Sequence, residues 1–404
     1  MSDFFSVLEK EKSRPRARVH SLHRYYGKLV PAIPRAAIQA YSGPGRVIGD
    51  PFCGSGTTLV EARLLGNPGW GIDLNPLAVK IARAKTQDLE PGQLLSGLDQ
   101  IAASVYHGPA PVPFCVNLEH WFRPEVVPLL ARLKAAVDQV NPLEARNFFQ
   151  VCFSAVLREA SNADPRHVFP GYSRRMRALD AAGRDIDPVK AFLDGTARRI
   201  RDYTRYRAEW PCTGQATVTV GDACQGQLPR CQLMVTNPPY LGAIRYLETM
   251  KLEMYWLSLV TSPQEYLALD RRFLASERWY RREYGRWEES GHPEVDRVTR
   301  QIFEAGHGKM SLVVARYFAG VRRFLLSASA SVESGGILVV KISDTYIRTQ
   351  TVPTHRLWCE LACGAGFQLL ECRPDGYRSR SLLTSRNTYS RMIPHDYLLV
   401  FQRA

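Results

Sequence analysis

Asn237-Pro238-Pro239-Tyr240, directly behind the apolar run 233–236, is a set of residues able to act on a nitrogen without a metal or a strong base. A carboxamide oxygen and a proline carbonyl both accept hydrogen bonds, the paired prolines hold the turn rigid, and the tyrosine ring offers a face for stacking. An amine whose lone pair is delocalised into an aromatic ring is a poor nucleophile. Two acceptors on its two N–H bonds would turn that lone pair toward an electrophile. Two other turns suit a nucleoside. Asp50-Pro51-Phe52-Cys53-Gly54-Ser55-Gly56-Thr57-Thr58 follows one apolar run, and Gly71-Ile72-Asp73-Leu74-Asn75-Pro76 ends the next. Glycines at 54 and 56 let the backbone pass close to a ligand, and an acid at the tip of the second strand can accept from both ribose hydroxyls. The first turn lacks the G-x-G-x-x-G spacing that cradles a pyrophosphate, so S-adenosylmethionine fits better than NAD or ATP. Asp50 is then assigned to the methionine ammonium or to a water near it.

DPFCGSGTT, GIDLNP and TNPPY together resemble the DNA amino-methyltransferases that modify adenine-N6 or cytosine-N4. Residues 20–31 are similar to the segment that precedes the cofactor motif in that family, with Tyr26, Lys28 and Pro31 the best-matched positions. The resemblance implies S-adenosylmethionine as cofactor, DNA as partner, and a base flipped out of the duplex to reach the site. It implies a cofactor site of Tyr26, Lys28, Pro31, Asp50, Pro51, Phe52, Cys53, Gly54, Ser55, Gly56, Thr57, Asp73 and Leu74, with Asp222 at the adenine ring. It also implies Asn237, Pro238, Pro239 and Tyr240 as the catalytic set, Tyr240 stacking on the base. The target base is drawn two ways. Asn as first residue of the tetrapeptide is the adenine habit, whereas 241–257, with Tyr246 and Trp256-Leu257, resembles the cytosine branch. Adenine-N6 is favoured over cytosine-N4, because the tetrapeptide touches the reacting nitrogen while the downstream residues need only pack.

Positioning these turns requires strands that end together. Apolar runs at 47–50, 70–74, 216–222, 233–237, 337–342, 367–372 and 397–402 read as buried strands separated by helical patterns. They predict an α/β fold: a seven-stranded, doubly wound, mostly parallel sheet of the class I methyltransferase type, with ligands at the carboxyl ends of its strands. The core is interrupted twice. Residues 1–89 carry the lid segment and first part of the core, 90–210 a helical insertion, 211–261 the catalytic part, 262–309 an Arg/aromatic-rich insertion, and 310–404 the remaining core.

Within the second insertion, Arg271, Arg272, Arg278, Arg281 and Arg282 alternate with Phe273, Trp279, Tyr280 and Tyr284, a composition suited either to phosphate and base contacts or to a solvated helix over a buried aromatic stripe. A second candidate lies at 162–177, with Arg166, His167, Arg174, Arg175 and Arg177. The 53 Lys+Arg against 39 Asp+Glu leave a formal charge of +14, which favours a polyanionic partner or a basic surface kept for solubility. Nine cysteines without paired metal-ligand spacing suit reduced thiols in a cytoplasmic protein, and no metal site is expected. No apolar stretch reaches the length of a membrane span, so no membrane association is expected. An RNA base methyltransferase and a protein-glutamine methyltransferase, which also uses Asn-Pro-Pro-Tyr, are the competing activities. A restriction or defence partner would fit the resemblance.

Overall fold

The computed structural model describes residues 3–210, 214–242, 244–287, 289–347, 350–376 and 395–404. Its main sheet is built from β1 (Ile48–Asp50), β2 (Gly69–Asp73), β3 (Ala216–Val220), β4 (Cys231–Thr236), β5 (Val332–Ile342), β6 (Phe367–Gly376) and β7 (His395–Arg403). Their spatial order is β3-β2-β1-β4-β5-β7-β6. The first five are parallel, and β7 runs antiparallel between β5 and β6. This is the doubly wound α/β sheet read from the seven apolar runs. The chain winds outward in one direction through β2 and β3 and in the other through β4 and β5, so the order reverses between β1 and β4. A crevice opens at that switch point beyond the strand ends. Asp50, Asp73 and Thr236 are the last residues of β1, β2 and β4.

Alternate residues of the central strands feed opposite layers. Val235, Ile337, Val339 and Val400 pack with the helices Phe4–Lys12 and Ala32–Tyr41, while Met234, Leu338, Val340 and Phe401 pack with the helices Gly308–Ser331 and Thr354–Gly364. Gly49 of β1 has no room for a side chain, because a Cβ there would lie 2.4 Å from the Trp70 ring. Two strands outrun their sequence patterns. β5 begins at Val332, which pairs with Cys231, and β6 continues to Gly376, paired with His395, because neighbouring strands carry the ladder past the apolar run. A short hairpin of Thr345–Ile347 and Gln350–Val352 has no counterpart among the apolar runs, being too brief to show a period.

Between β2 and β3 every regular element is helical: after Pro76–Thr86 come Pro91–Ser104, Leu118–Trp121, Val126–Asp138, Leu143–Ala160, Arg174–Ala181 and Pro188–Glu209. Asn75 caps Pro76–Thr86, its Oδ1 accepting from the Leu77 and Ala78 amides, with proline at the first helical position where no amide is needed. These helices share one apolar cluster with the segment that follows the Asn-Pro-Pro-Tyr turn: Phe148, Phe153 and Leu157 pack with Leu77 and Ile81 and with Tyr255 and Trp256. Trp256 is fully buried, edge-on to Phe122 at 5.3 Å, so it is core. Residues 262–309 hold the helices Pro263–Arg272 and Pro293–Glu304 joined through a single tight turn at Arg281–Glu283, rather than one long solvated helix. Among the described residues no helix is long and apolar enough to cross a membrane, and no cluster of His, Cys, Asp or Glu could hold a metal ion.

Candidate cofactor and catalytic cleft

A cleft of about 730 Å³, part of it open to solvent, lies over the carboxyl ends of β1, β2 and β4. Its walls come from five stretches of chain: Tyr25, Gly27, Lys28 and Leu29 of the arm; Asp50 to Ser55 and Thr57 behind β1; Asp73 and Leu74 at the tip of β2; Gly221 to Cys224 behind β3; and Asn237, Pro239 and Tyr246 behind β4. Arg272, Phe273 and Leu274 complete it from the second insertion.

The first turn is held from below. Gly54 and Gly56 have φ of 48° and 78°, the left-handed region that glycine tolerates. Their reasons differ. A Cβ on Gly54 would lie 3.1 Å from the Tyr25 ring, on the cleft side, while one on Gly56 would meet the Cβ of Ala82 at 2.8 Å. Gly56 is therefore a packing glycine that lets the helix Thr57–Leu64 sit against Pro76–Thr86, and it does not line the cleft. The fully buried Lys85 donates from Nζ to the Ser55 carbonyl at 2.8 Å, clamping the turn. Burial pushes its ammonium well below the ordinary range.

Both acids at the strand tips are raised. Asp50 is pushed up to about 7 by burial, against the hydrogen bonds of Thr58, Thr236 and the Phe52 amide. Thr236 Oγ1 donates to its Oδ1 at 2.8 Å, tying the tip of β4 to the tip of β1. Asp73 is pushed up to about 6 by burial, although its two oxygens each accept a backbone N–H at 2.8 Å, from Gly54 and from Asn75. Each carboxylate oxygen has further lone pairs, so both can still accept from hydroxyls. Two uncompensated acids in a cleft favour a cationic ligand. Two polar atoms of the cleft walls, Ser55 Oγ and Asn237 Oδ1, are buried without a hydrogen-bond partner among the described residues. The orphaned Ser55 Oγ, the paired acids and an aromatic wall together fit a nucleoside with a cationic amino-acid tail, as S-adenosylmethionine has.

The arm differs from expectation in its details. Tyr26 turns away from the cleft and donates from its hydroxyl to the His167 carbonyl at 3.1 Å, while Tyr25 lines the cleft in its place. Pro31 caps the helix Ala32–Tyr41 and lies outside the walls. Lys28 lines the cleft, but its ammonium donates to the carbonyls of His20 at 3.0 Å and His23 at 2.6 Å, and burial lowers it to about 8. It shapes the arm around itself. Asp222 lines the cleft and accepts from the Cys224 amide at 3.0 Å.

At the Asn-Pro-Pro-Tyr turn, Asn237 donates from Nδ2 to the Gly27 carbonyl at 2.9 Å, which fixes the carboxamide and leaves Oδ1 as an acceptor without a partner among the described residues. Asn237 and Pro239 line the cleft, whereas Pro238 and Tyr240 do not, and Tyr240 packs on the core layer beneath the sheet. Tyr246, whose ring lies 3.0 Å from where a Gly27 Cβ would be, stands in the wall instead. The sequence motifs do not single out Tyr25 as a site residue, Phe273 is named there only among the aromatics of the Arg-rich segment, and Tyr246 reads there as a packing residue. Their neighbours in the motifs carry the one signal that could have found them.

The arginines of the second insertion separate into two groups. Arg271 donates to Glu283 at 3.0 Å and to the Arg278 carbonyl at 2.9 Å, and Arg278 is paired with Glu248, so both act as internal struts. A phosphate contact by either of these two would have to compete with its ion pair. Arg272 is exposed at the mouth of the cleft, 3.8 Å from Asp222, and Arg281 and Arg282 are exposed on the tight turn.

Residues 2–84 match the family described as DNA methylase, of the N6/N4 type. The chain is 24% identical over 266 residues to Type II methyltransferase M.MvaI of Kocuria varians, a match spanning 59% of this chain and 58% of that protein. It is 39% identical over 84 residues to Type II methyltransferase M.MjaII of Methanocaldococcus jannaschii, covering 21% of this chain and 15% of that protein. The chain thus spans little more than half of one relative and a small part of the other. Among solved structures, a TehB-like SAM-dependent methyltransferase from Corynebacterium glutamicum overlaps 99% of both chains, at 10% identity and a TM-score of 0.31.

Proposed function

We propose, on the premise that this chain is a relative of the DNA amino-methyltransferases, that it transfers a methyl group from S-adenosylmethionine to an exocyclic amino nitrogen of a flipped base in DNA. The observation that carries the reading is Asn237 Oδ1, a buried acceptor without a partner among the described residues, held at the cleft wall by the bond from Nδ2 to Gly27. When bound, S-adenosylmethionine supplies an electrophilic methyl group on a cationic sulfur. Asp73 would accept from its ribose hydroxyls, Asp50 would face its ammonium, Asp222 its adenine ring, and Tyr25 with the 50–57 turn would enclose it. Asn237 Oδ1 and the Pro238 carbonyl accept the two N–H bonds of the target amine and hold its lone pair out of conjugation. Adenine-N6 is favoured over cytosine-N4 by the asparagine at the head of the tetrapeptide. The Type II designation of both relatives favours extending the reading to a restriction-modification setting.

The test offers labelled S-adenosylmethionine with duplex DNA, RNA and protein, followed by nucleoside digestion and mass spectrometry. Label in DNA as N6-methyladenine or N4-methylcytosine is expected; label confined to RNA or to glutamine supports the competing activities instead. Asn237→Ala should lose about a hundredfold in kcat, on the order of 3 kcal/mol, with cofactor affinity kept. Methylation at the wild-type rate by that variant sinks the mechanism.

A further inference from the structure

Three consecutive residues of the arm face three different parts of the protein. Tyr25 lines the cofactor cleft, Tyr26 donates from its hydroxyl to the His167 carbonyl at 3.1 Å, and the Gly27 carbonyl accepts from Asn237 Nδ2 at 2.9 Å. The last of these bonds decides which end of the carboxamide is left for a substrate. Only a donor can face a carbonyl, so the amide nitrogen is committed to Gly27 and Oδ1 is the atom without a partner among the described residues. Gly27 has a φ of 74°, and a glycine does not by itself hold its carbonyl in one direction. Its neighbours restrain it. Lys28 is anchored within the arm, on the carbonyls of His20 and His23, whereas Tyr26 is anchored outside it, on the loop 162–173 of the first insertion. That anchor is itself supported. The His167 carbonyl also accepts at 3.0 Å from Nη2 of Arg158, a side chain 4% exposed near the end of the helix Leu143–Ala160. The loop folds around the buried Asp164, whose carboxylate accepts from the Arg166 amide at 3.0 Å and from Ser173 Oγ at 2.8 Å. Arg24 of the arm donates to the Pro165 carbonyl of the same loop and lies over the Tyr26 ring at 4.9 Å.

We propose that Tyr26 is a positioning residue for methyl transfer: its hydroxyl ties the arm to the loop 162–173 and thereby fixes the Gly27 carbonyl that orients Asn237. The inference rests on the reading of the preceding subsection. It makes the loop of the first insertion the outer support of the Asn237 carboxamide, although no described residue of that loop lines the cleft. It also gives a task to a tyrosine that the cleft does not use. Small errors in the direction of an acceptor matter most while the reacting nitrogen is being aligned, so a loosened arm shows in the rate of transfer before it shows in cofactor binding.

The experiment uses the full chain, saturating S-adenosylmethionine and a duplex containing the site that the wild-type protein methylates. Tyr26→Phe keeps the ring over Arg24 and removes only the hydroxyl. It is expected to lower the single-turnover rate about fivefold, the loss of one hydrogen bond, while cofactor affinity by calorimetry stays within about twofold. In an Asn237→Ala background, where no carboxamide is left to orient, the same change should cost less than about twofold. With no ligand present, hydrogen exchange read by mass spectrometry should quicken in residues 20–31 and 162–173 of Tyr26→Phe and stay unchanged in the strands of the main sheet. A wild-type rate in Tyr26→Phe overturns the inference and leaves the methyltransferase reading intact. An equal loss with and without the Asn237 carboxamide overturns it too, since the effect would then not pass through Asn237. A cofactor affinity that falls about tenfold at an unchanged saturated rate overturns it in favour of a cofactor contact, and unaltered exchange in both segments overturns the tie between arm and loop. A wild-type protein that methylates no base removes the underlying reading and this inference with it.

Discussion

Asp50 and Asp73 sit at adjacent strand tips with their carboxyls at about 7 and about 6, against an ordinary value of 3.8. Burial is the main cause in both, and for Asp50 the neighbouring Asp73 adds to it. In the ligand-free protein burial therefore shifts the preference toward the neutral forms, relative to the unfolded chain. Their contribution to stability is complete below pH 3.8 and is lost as pH rises through 6 and 7. A cationic ligand reverses the preference, because it binds the ionised carboxylates. Affinity for S-adenosylmethionine should accordingly weaken about tenfold between pH 8 and pH 6, since one pKa unit is a factor of ten in protonation. Asp50→Asn should flatten most of that dependence. Calorimetry across the range is the check, and an affinity indifferent to pH would detach these acids from the ligand.

At the scale of elements, the N-terminal arm depends on a buried ion network behind the glycine turn. Glu61, fully buried on the helix Thr57–Leu64, lies 2.7 Å from His20 Nε2 with one oxygen and accepts from Arg35 Nε at 2.7 Å with the other. Glu11 takes a second Arg35 bond at 3.3 Å, so the arm, the helix Ala32–Tyr41 and the N-terminal helix share one charge cluster. Removing one partner of such a pair leaves a buried charge uncompensated, which typically costs about 3–5 kcal/mol. Glu61→Ala should therefore lower the unfolding free energy measured in urea by that amount, and cofactor affinity should fall with it because Lys28 holds the arm through the carbonyls of His20 and His23. Glu61→Gln, which keeps the shape and one acceptor, should lose less. Stability unchanged in both variants would mean that the arm is anchored elsewhere.

For the molecule as a whole, the charge of +14 becomes informative once the arginines are sorted by partner. Arg271 and Arg278 are tied to Glu283 and Glu248, and Arg166 to Asp164, so their charges are locally neutralised. Arg281, Arg282 and Arg174 are exposed, and they are the better candidates for phosphate contact. Replacing Arg174, Arg281 and Arg282 by glutamine should weaken DNA binding and flatten its salt dependence by about 0.9 in the log–log slope for each phosphate no longer neutralised. Arg278→Gln should instead lower stability and leave the slope alone. Titrations of a DNA duplex at several salt concentrations, beside unfolding curves, distinguish the two groups; an unaltered slope in the triple variant would remove these arginines from the interface.

Sequence alone was sufficient for the seven strands of the main sheet, though not for their full length or for the small hairpin, and for the order of the motifs, the two acids and the asparagine at strand ends. Each is a local signal: an apolar run closed by a residue type that only a strand tip needs. The rest is set by contacts between distant residues. Tyr25 lines the cleft while Tyr26 does not because Tyr26 is bonded to His167, 141 residues away. Gly56 and Gly54 look alike in the motif, yet Ala82 makes the first a packing residue and Tyr25 places the second at the cleft. The cleft gains Arg272, Phe273 and Leu274 only because the end of the helix Pro263–Arg272 is brought against it. Charge runs likewise name the arginines but not their partners, and only the folded chain decides which guanidinium groups are neutralised within the protein and which face solvent.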